Sequence, residues 1–457
     1  MYKITVLILL LPLLLLPVYG REQGNGPQAG MNTLEVDRQT HALLMEEDWS
    51  GLTELGEAAL RQGIDYYFLR YRLGIAWYNR QNYHRAVRHL RQAWEQTPGD
   101  ERLLEYLYYS MVYAGRDFEA RHLAHRFSAS RRQELRIYPG KPIQRLLLTF
   151  DMGSQDNDHI LSGFSVDPEA ADGSQFLSRS HRGMQLGLLH PAGRSLSVYH
   201  AYTHIRKEHF AYFLSDGIES LNARSRSELN QYYFSVIWRL AADLRLVAGV
   251  HYLHIRLPAT NEQVPATNEQ VPGMQEVVAI PAASMNDVTG SLSLYRDFTY
   301  FTLGLSGHAA RLNSGRQWQG DLLAAVYPLG NQHLYSVSVV SLQHEEGPGG
   351  GTADRLVFQQ RLGVRATSRL WLEASAGLGD MSNFIRYDGA LVYNAMDEVT
   401  RQLGFRATLE AWPDLGVFVA GYMTRHRSRF MPAGGEEPEN PFTYSGQTFT
   451  GGITWSF

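Results

Sequence analysis

The chain is 457 residues long, contains no cysteine, and sets 42 Lys+Arg against 46 Asp+Glu for a formal charge of −4. Disulfides and thiolate metal sites are therefore excluded, and the basic stripe that a nucleic-acid partner calls for is missing. Aromatic residues reach 12 %, with 26 Tyr and 42 Gly, a usage suited to strands joined by tight turns.

The N-terminal run "MYKITVLILLLPLLLLPVYG" has the order of a signal peptide. Lys3 supplies a short positive region, Ile4 to Val18 an apolar core, and Val18 and Gly20 the small-residue positions of a cleavage site. Pro12 and Pro17 interrupt the run, which makes an anchor helix the weaker alternative. With no cysteine to follow, a bacterial lipid anchor is excluded. Residues 1–20 are predicted to direct export and residues 21–31 to form a linker. No later stretch holds 18 consecutive apolar residues, so no membrane helix is predicted beyond it.

Over 32–135 the apolar spacing is helical, and "YYFLRYRLGIAWYNRQNYHRAVRHLRQAWEQTP" is its clearest piece. Leu73, Gly74, Trp77, Ala86, Leu90, Ala93 and Pro98 fit the tetratricopeptide order L-G-x-x-Y…A-x-x-x-F…P. Small Gly74 and Ala86 let two antiparallel helices touch, Trp77 and Leu90 fill the groove, and Pro98 stops the second helix for want of an N–H. Ala120 repeats Ala86 after 34 residues, while Ala59 and Trp49 repeat Ala93 and Tyr83. Three helical hairpins are predicted, with an unrelated bundle as the alternative. Stacked repeats of this kind present a concave surface for a protein or peptide partner. Arg70, Arg72, Arg80, Arg85, Arg88 and Arg91 read as a solvated face.

Near Pro142 the period changes from 3.6 to 2 and stays there to Phe457. "RLVFQQRLGVRAT" sets Leu356, Phe358, Leu362 and Val364 against Gln359, Arg361, Gly363 and Arg365. Segments of this kind outrun the ~5–6 residues of an average soluble strand and suit the ~9–11 tilted residues that a bilayer demands. Short connections at 190–195, 241–244, 295–300, 327–333, 366–369 and 412–416 alternate with long ones at 211–225, 258–282, 346–353, 382–398 and 429–443. That alternation predicts turns on the periplasmic side and loops outside. "PATNEQVPATNEQV" at 258–271 is a perfect seven-residue tandem duplication, tolerable in a solvated loop because closure entropy grows slowly with length.

Strand starts near 145, 176, 195, 227, 245, 284, 300, 317, 333, 354, 370, 399, 415 and 445 make fourteen. In the final "SGQTFTGGITWSF", Phe449, Ile453, Trp455 and Phe457 alternate with small polar residues. They are expected to face lipid on a strand that closes onto the first. The fold class is therefore α+β multidomain: N-terminal α-helical repeats over 32–135, then a transmembrane antiparallel β-barrel of about 14 strands over 142–457.

The alternation projects Arg239, His308, Asp321, Arg361, Arg365, Glu373, Arg406 and Glu410 into the lumen. Fourteen strands leave room for water unless loops or side chains fill it. The turn at 366–369 brings Glu373 within one step of Arg361, and Arg406 with Glu410 extends the pairing. His200 and His204 share a face but stand about 13 Å apart, too far for one metal with bonds of about 2 Å. His308 and Asp321 fall on adjacent strands, yet spacing singles out no nucleophile, phosphate loop, zinc motif or dinucleotide fingerprint. No catalytic residue, cofactor or metal is predicted, and the protein is not expected to be an enzyme.

The signal peptide, the "LGIAW…A…P" repeat and the terminal "TWSF" together resemble the repeat-plus-barrel proteins of Gram-negative outer membranes. That group includes the surface lipoprotein assembly modulators, YaiO-type barrels and the polysaccharide-export porins. The resemblance implies a barrel in outer-membrane lipid, repeats in the periplasm holding a partner, and a terminal aromatic strand read by the barrel-assembly machinery. It also implies export or surface delivery of a macromolecule, either lipoprotein or polysaccharide. The alternative is a barrel that only anchors the repeats as a scaffold in an envelope complex.

Overall fold

The computed structural model describes residues 31–137, 142–156, 173–193, 195–215, 218–241, 243–257, 260–265, 275–280, 282–347, 350–394, 397–432 and 439–457. The predicted signal peptide, most of the linker and much of the tandem duplication lie outside the described residues.

Among the described residues seven helices come first: α1 (Thr33–Met45), α2 (Trp49–Arg61), α3 (Tyr67–Asn79), α4 (Tyr83–Gln96), α5 (Glu101–Tyr113), α6 (Asp117–Ala124) and α7 (Ala129–Glu134). Their starts are written in the sequence. Asn32, Asp48, Asn82 and Asp100 each accept a backbone N–H of the first turn that has no intrahelical partner. Leu73, Ala86, Leu90 and Ala93 are completely buried where α3 meets α4. At Gly74 an added Cβ would lie 2.4 Å from Leu90 Cδ2, so the two helices approach as closely as a missing side chain allows. Pro98 stands just beyond the end of α4. Replacing a completely buried leucine such as Leu73 or Leu90 by alanine costs about 2–5 kcal/mol.

The arginines of α3 and α4 correct one expectation. Arg70 and Arg72 are buried, donating to Asp65 at 2.6 Å and Asp37 at 2.7 Å, while Arg91 donates to Glu119 at 2.7 Å. Arg80 and Arg85 lie over the two faces of the Trp77 indole region at 4.8 and 4.4 Å. These groups staple helix to helix. A planar guanidinium stacks on rings and forks onto carboxylates, so the run does not behave as a solvated face.

The rest of the chain forms β1 (Arg145–Asp156), β2 (Gly173–Pro191), β3 (Leu196–Ser215), β4 (Ile218–Arg239), β5 (Leu244–Leu257), β6 (Thr260–Pro265), β7 (Gln275–Ile280), β8 (Ala283–Asp297) and β9 (Phe301–Leu312). Then follow β10 (Gly315–Val326), β11 (Leu334–Glu346), β12 (Thr352–Arg365), β13 (Leu370–Leu378), β14 (Ile385–Arg386), β15 (Leu391–Val392), β16 (Glu398–Trp412), β17 (Leu415–Pro432) and β18 (Glu439–Ser456). Fourteen of them close an antiparallel barrel, while β6–β7 and β14–β15 are separate two-stranded hairpins. The seam is β1 on β18, with Leu146 opposite Trp455 and Leu148 opposite Ile453.

One side of nearly every strand is apolar and turned outward: Leu362 is 53 % exposed, Phe405 54 % and Phe449 61 %. Trp455 and Phe457 are exposed at the end of the same face, and Ile453 is half-buried beside them. This is the band that a bilayer requires. On β3 the outward positions run His200, Tyr202 and His204, then Arg206 and Glu208, which pair with Glu228 and Arg226 of β4 at 3.4 Å. The change from rings to ion pairs marks the outer rim, and Tyr202, Tyr232 and Tyr252 are exposed just below it.

Three connections differ from expectation. The predicted loop at 211–225 is a continuation of β3 and β4, so the fourth strand starts at Ile218 rather than near 227, and the last starts at Glu439 rather than near 445. Beyond the bilayer both faces of a hairpin are wet, and no apolar side marks the period. The β9–β10 connection at Asn313–Ser314 is tight although it lies at the outer end. The predicted outer loop at 382–398 does not stay outside.

Candidate functional site

Residues 379–394 leave β13, turn into the barrel and return to β16. Their sequence, "GDMSNFIRYDGALVYN", carries Phe384, Ile385, Leu391 and Val392, too apolar for a solvated loop. Met381 and Phe384 pack on Val357 and Val399 of the wall, and Val392 packs on Leu253 and Leu312. Between these anchors the contacts are polar. Gln319 of β10 donates to the Ile385 carbonyl at 2.7 Å and accepts its N–H at 3.0 Å. Gln317 donates to the Asn383 carbonyl at 2.8 Å. Tyr295 donates to Asp388 Oδ1 at 2.5 Å, Tyr233 donates to the Asp388 carbonyl at 2.9 Å, and Ser291 also bonds that carbonyl. His251 Nδ1 lies 2.9 Å from the Gly389 carbonyl. Tyr387, Asp388 and Gly389 all have positive φ, at 53°, 58° and 91°. Only Gly389 adopts that region freely, so wall contacts hold the other two there. The lumen is plugged at this level.

The helices cover the mouth of the barrel at the end where β4 finishes and β5 starts. His84, at the start of α4, stacks on Tyr327 with centroids 5.0 Å apart, and its N–H donates to the Gly330 carbonyl at 2.9 Å. Arg85 lies over the Tyr300 ring at 5.5 Å, and Asn331 Nδ2 donates to the Gln81 carbonyl at 2.9 Å. Glu119 of α6 lies 3.7 Å from Arg239 at the foot of β4. Burial, and the Arg116 charge beside it, push the His84 imidazole down to about 4. It is therefore neutral near pH 7, with both ring nitrogens unpartnered.

Between plug and cap lies a chamber of about 710 Å³. Tyr199, Tyr233, Tyr295, Tyr327 and Tyr387 reach its wall, and Arg239 and Arg245 reach its floor.

The structure distributes the eight predicted lumen residues over several sites. Glu373 accepts from Tyr335 at 2.6 Å and lies 3.9 Å from Arg361 and 3.7 Å from Arg406. In register it sits opposite Gly363, one residue from the expected 362. Arg361 also donates to Tyr387 at 3.2 Å, which ties this cluster to the plug. The expected Arg406–Glu410 pairing is not made: Arg406 turns to Glu373 and lies over Phe418, while Glu410 accepts from Trp371 at 3.1 Å. A register shift between Glu410 and Trp412 breaks the row. Arg365 is at the rim on the side of the helices, with His333 2.9 Å away. His308 is buried with Nε2 2.9 Å from Asp321, and Gln319 also donates to Asp321 at 2.9 Å. That dyad braces the glutamine that holds Ile385. His190 and His200 stack outward with Nε2 atoms 3.0 Å apart, and His204 bonds Asn230. Among the described residues no cluster of three or more ligating groups is suited to a metal.

No family model and no curated protein matches the chain. Solved structures that resemble it are outer-membrane barrels. The toluene transporter TodX of P. putida shares 11 % identity at a TM-score of 0.43, covering 69 % of this chain and 90 % of its own. A FadL homologue of Pseudomonas aeruginosa shares 8 % at 0.41, covering 69 % and 90 %. A bacterial polysaccharide outer-membrane secretin shares 10 % at 0.35, covering 69 % and 98 %. Nothing about cargo passes from those proteins to this chain at such scores.

Proposed function

We propose that this chain is an outer-membrane translocation barrel held closed, with a periplasmic tetratricopeptide-like cap that receives a partner and a lumen segment that gates passage outward. The observation that carries the reading is the way 379–394 is held. Between its apolar anchors it is held by hydrogen bonds to wall side chains, and water can replace each of these at a net cost of about 0.5–1.5 kcal/mol. A purely structural filler would be built as a continuous apolar core instead. In this reading Arg239, His308, Asp321, Arg361, Arg365, Glu373, Arg406 and Glu410 line or brace the path, and the cargo is a lipoprotein or a polysaccharide segment.

The scaffold reading draws on a different observation: the lumen is shut at two levels, by the helices and by residues 379–394, with the chamber between them. The full chain in a planar bilayer separates the two. Discrete voltage-driven openings support translocation, while lasting silence from a barrel with normal heat-modifiable migration supports a scaffold.

A further inference from the structure

The chamber floor carries two arginines, and one of them, Arg245, is ion-paired by neither closure. Arg239 ends β4 and Arg245 begins β5, directly opposite one another in register and both facing inward. Like charges in directly opposed positions repel. Glu119 lies 3.7 Å from Arg239, but it is already bonded by Arg91 at 2.7 Å and Arg116 at 2.5 Å. Arg245 has no ion-pair partner among the described residues. Its guanidinium lies 4.9 Å over the Tyr295 ring, and its Nε, like Arg239 Nη1, is buried without a hydrogen-bond partner.

The remaining carboxylates of the chamber are engaged elsewhere. Arg296 donates to Asp243 at 3.1 Å, Thr302 to Asp297 at 2.7 Å, and Tyr295 to Asp388 at 2.5 Å. A buried guanidinium without a direct ion-pair partner is costly, and a planar fork is matched by a carboxylate or phosphate.

Above this pair the inner wall turns apolar. Leu147, Leu189, Ile237, Val247, Leu323 and Val337 all face the chamber, whereas the plug level above is lined by Gln317, Gln319, Ser291 and His251. A watery passage has no use for such a belt. We propose that the chamber binds an amphiphile, with an anionic head, carboxylate or phosphate, between Arg239 and Arg245 and an apolar chain against the belt. Its volume of about 710 Å³ falls within the ~300–1,000 Å³ of small-molecule sites. The inference deepens the translocation reading by naming what is held between the two closures, but binding does not itself require conduction.

Short amphiphiles that dissolve as monomers test it. The full chain in phosphatidylcholine nanodiscs is titrated calorimetrically with octanoate, octyl phosphate, octanol and inorganic phosphate, with empty discs subtracted. The expected result is one site per barrel for octanoate or octyl phosphate, at least tenfold tighter than for octanol or inorganic phosphate. The tighter of the two anions tells a fatty carboxylate from a phospholipid-like source. Arg245→Gln should weaken the anionic probes tenfold or more and leave octanol unchanged, while Arg245→Lys should retain most of the affinity. Unchanged octanoate affinity in a folded Arg245→Gln barrel would overturn the site. Inorganic phosphate binding as tightly as octanoate would reduce it to an anion site and overturn the amphiphile. Intact binding in a barrel that never conducts would sink translocation alone, and conduction without binding would sink only this inference.

Discussion

The helical cap brings its own core to the barrel mouth: Leu73, Leu90, Leu103 and Leu107 are buried among helices, while Gln81, His84 and Arg85 at the start of α4 and Glu119 and Arg121 of α6 meet the barrel. The segment at 379–394 has two small apolar footholds and otherwise takes its bonds from the wall. A body with a core moves as a unit or not at all, while a segment without one opens bond by bond. The contrast assigns different work to the two closures. On the translocation reading the inner segment is the element that yields, and the cap is the part that stays folded while it does.

The largest expected effect comes from removing one closure at a time. Replacing 382–394 by a Gly-Ser turn should convert a silent barrel into one with steady bilayer conductance. Deleting 32–135 should leave it silent, because the segment still fills the lumen. Equal conductance from both deletions would erase the difference between the closures.

A subtler break targets the bonds themselves. Tyr295→Phe with Ser291→Ala removes two donors from Asp388. The carboxylate oxygen loses its donor, a buried acceptor left unsatisfied at about 1–3 kcal/mol, while the carbonyl keeps only Tyr233. Opening frequency should rise at least tenfold while the barrel's thermal midpoint moves little, because the wall ladder is untouched.

Acid should act on the cap instead. His84 has its pKa lowered to about 4 when docked, against about 6.5 in water. Docking is therefore fully favourable above about 6.5 and weakens as pH falls toward 4. The loss is bounded at roughly 3 kcal/mol. Protease sensitivity of the cap should rise over that interval and flatten in His84→Phe, with the inner segment unaffected. A rise that persists in His84→Phe would place the sensor elsewhere.

The smallest effect belongs to the cluster that touches the plug. In a barrel opened by the first change, Glu373→Gln leaves Arg361 and Arg406 without their carboxylate. Reversal potentials under a salt gradient should shift toward anions. No shift would mean that these groups do not line the open path.

The barrel wall was legible because lipid enforces a clean period of two: Leu356, Phe405 and Phe449 declare their face by side chain alone. The α3–α4 packing was legible for a similar reason, since Gly74 opposite Leu90 leaves a trace at fixed spacing. Length of strand was not legible above the membrane, where "SDGIES" has no apolar side to follow. The in-turned segment was misread because its ends look like any outer loop; the signal was there in Phe384, Ile385, Leu391 and Val392, apolar groups that a wet loop would not carry together. The Arg239–Arg245 opposition was out of reach, since it depends on register across a turn, and a one-residue slip there would turn both away. Glu119, which draws Arg91, Arg116 and Arg239 together, comes from a helix with no sequence link to β4.

The seam between Arg145 and Ser456 joins the first strand to the last. Such a contact has very high sequence separation, and the entropy of bringing its ends together must be met before the ladder rewards it. The wall therefore closes only after every residue has reached the membrane. By then the helices, whose contacts are mostly local, have already folded, while Tyr300, Tyr327 and Asn331, against which they dock, become fixed only as the ring forms. Assembly thus has a clock built into its topology: cap first, ring second, and docking as the event that registers a completed ring.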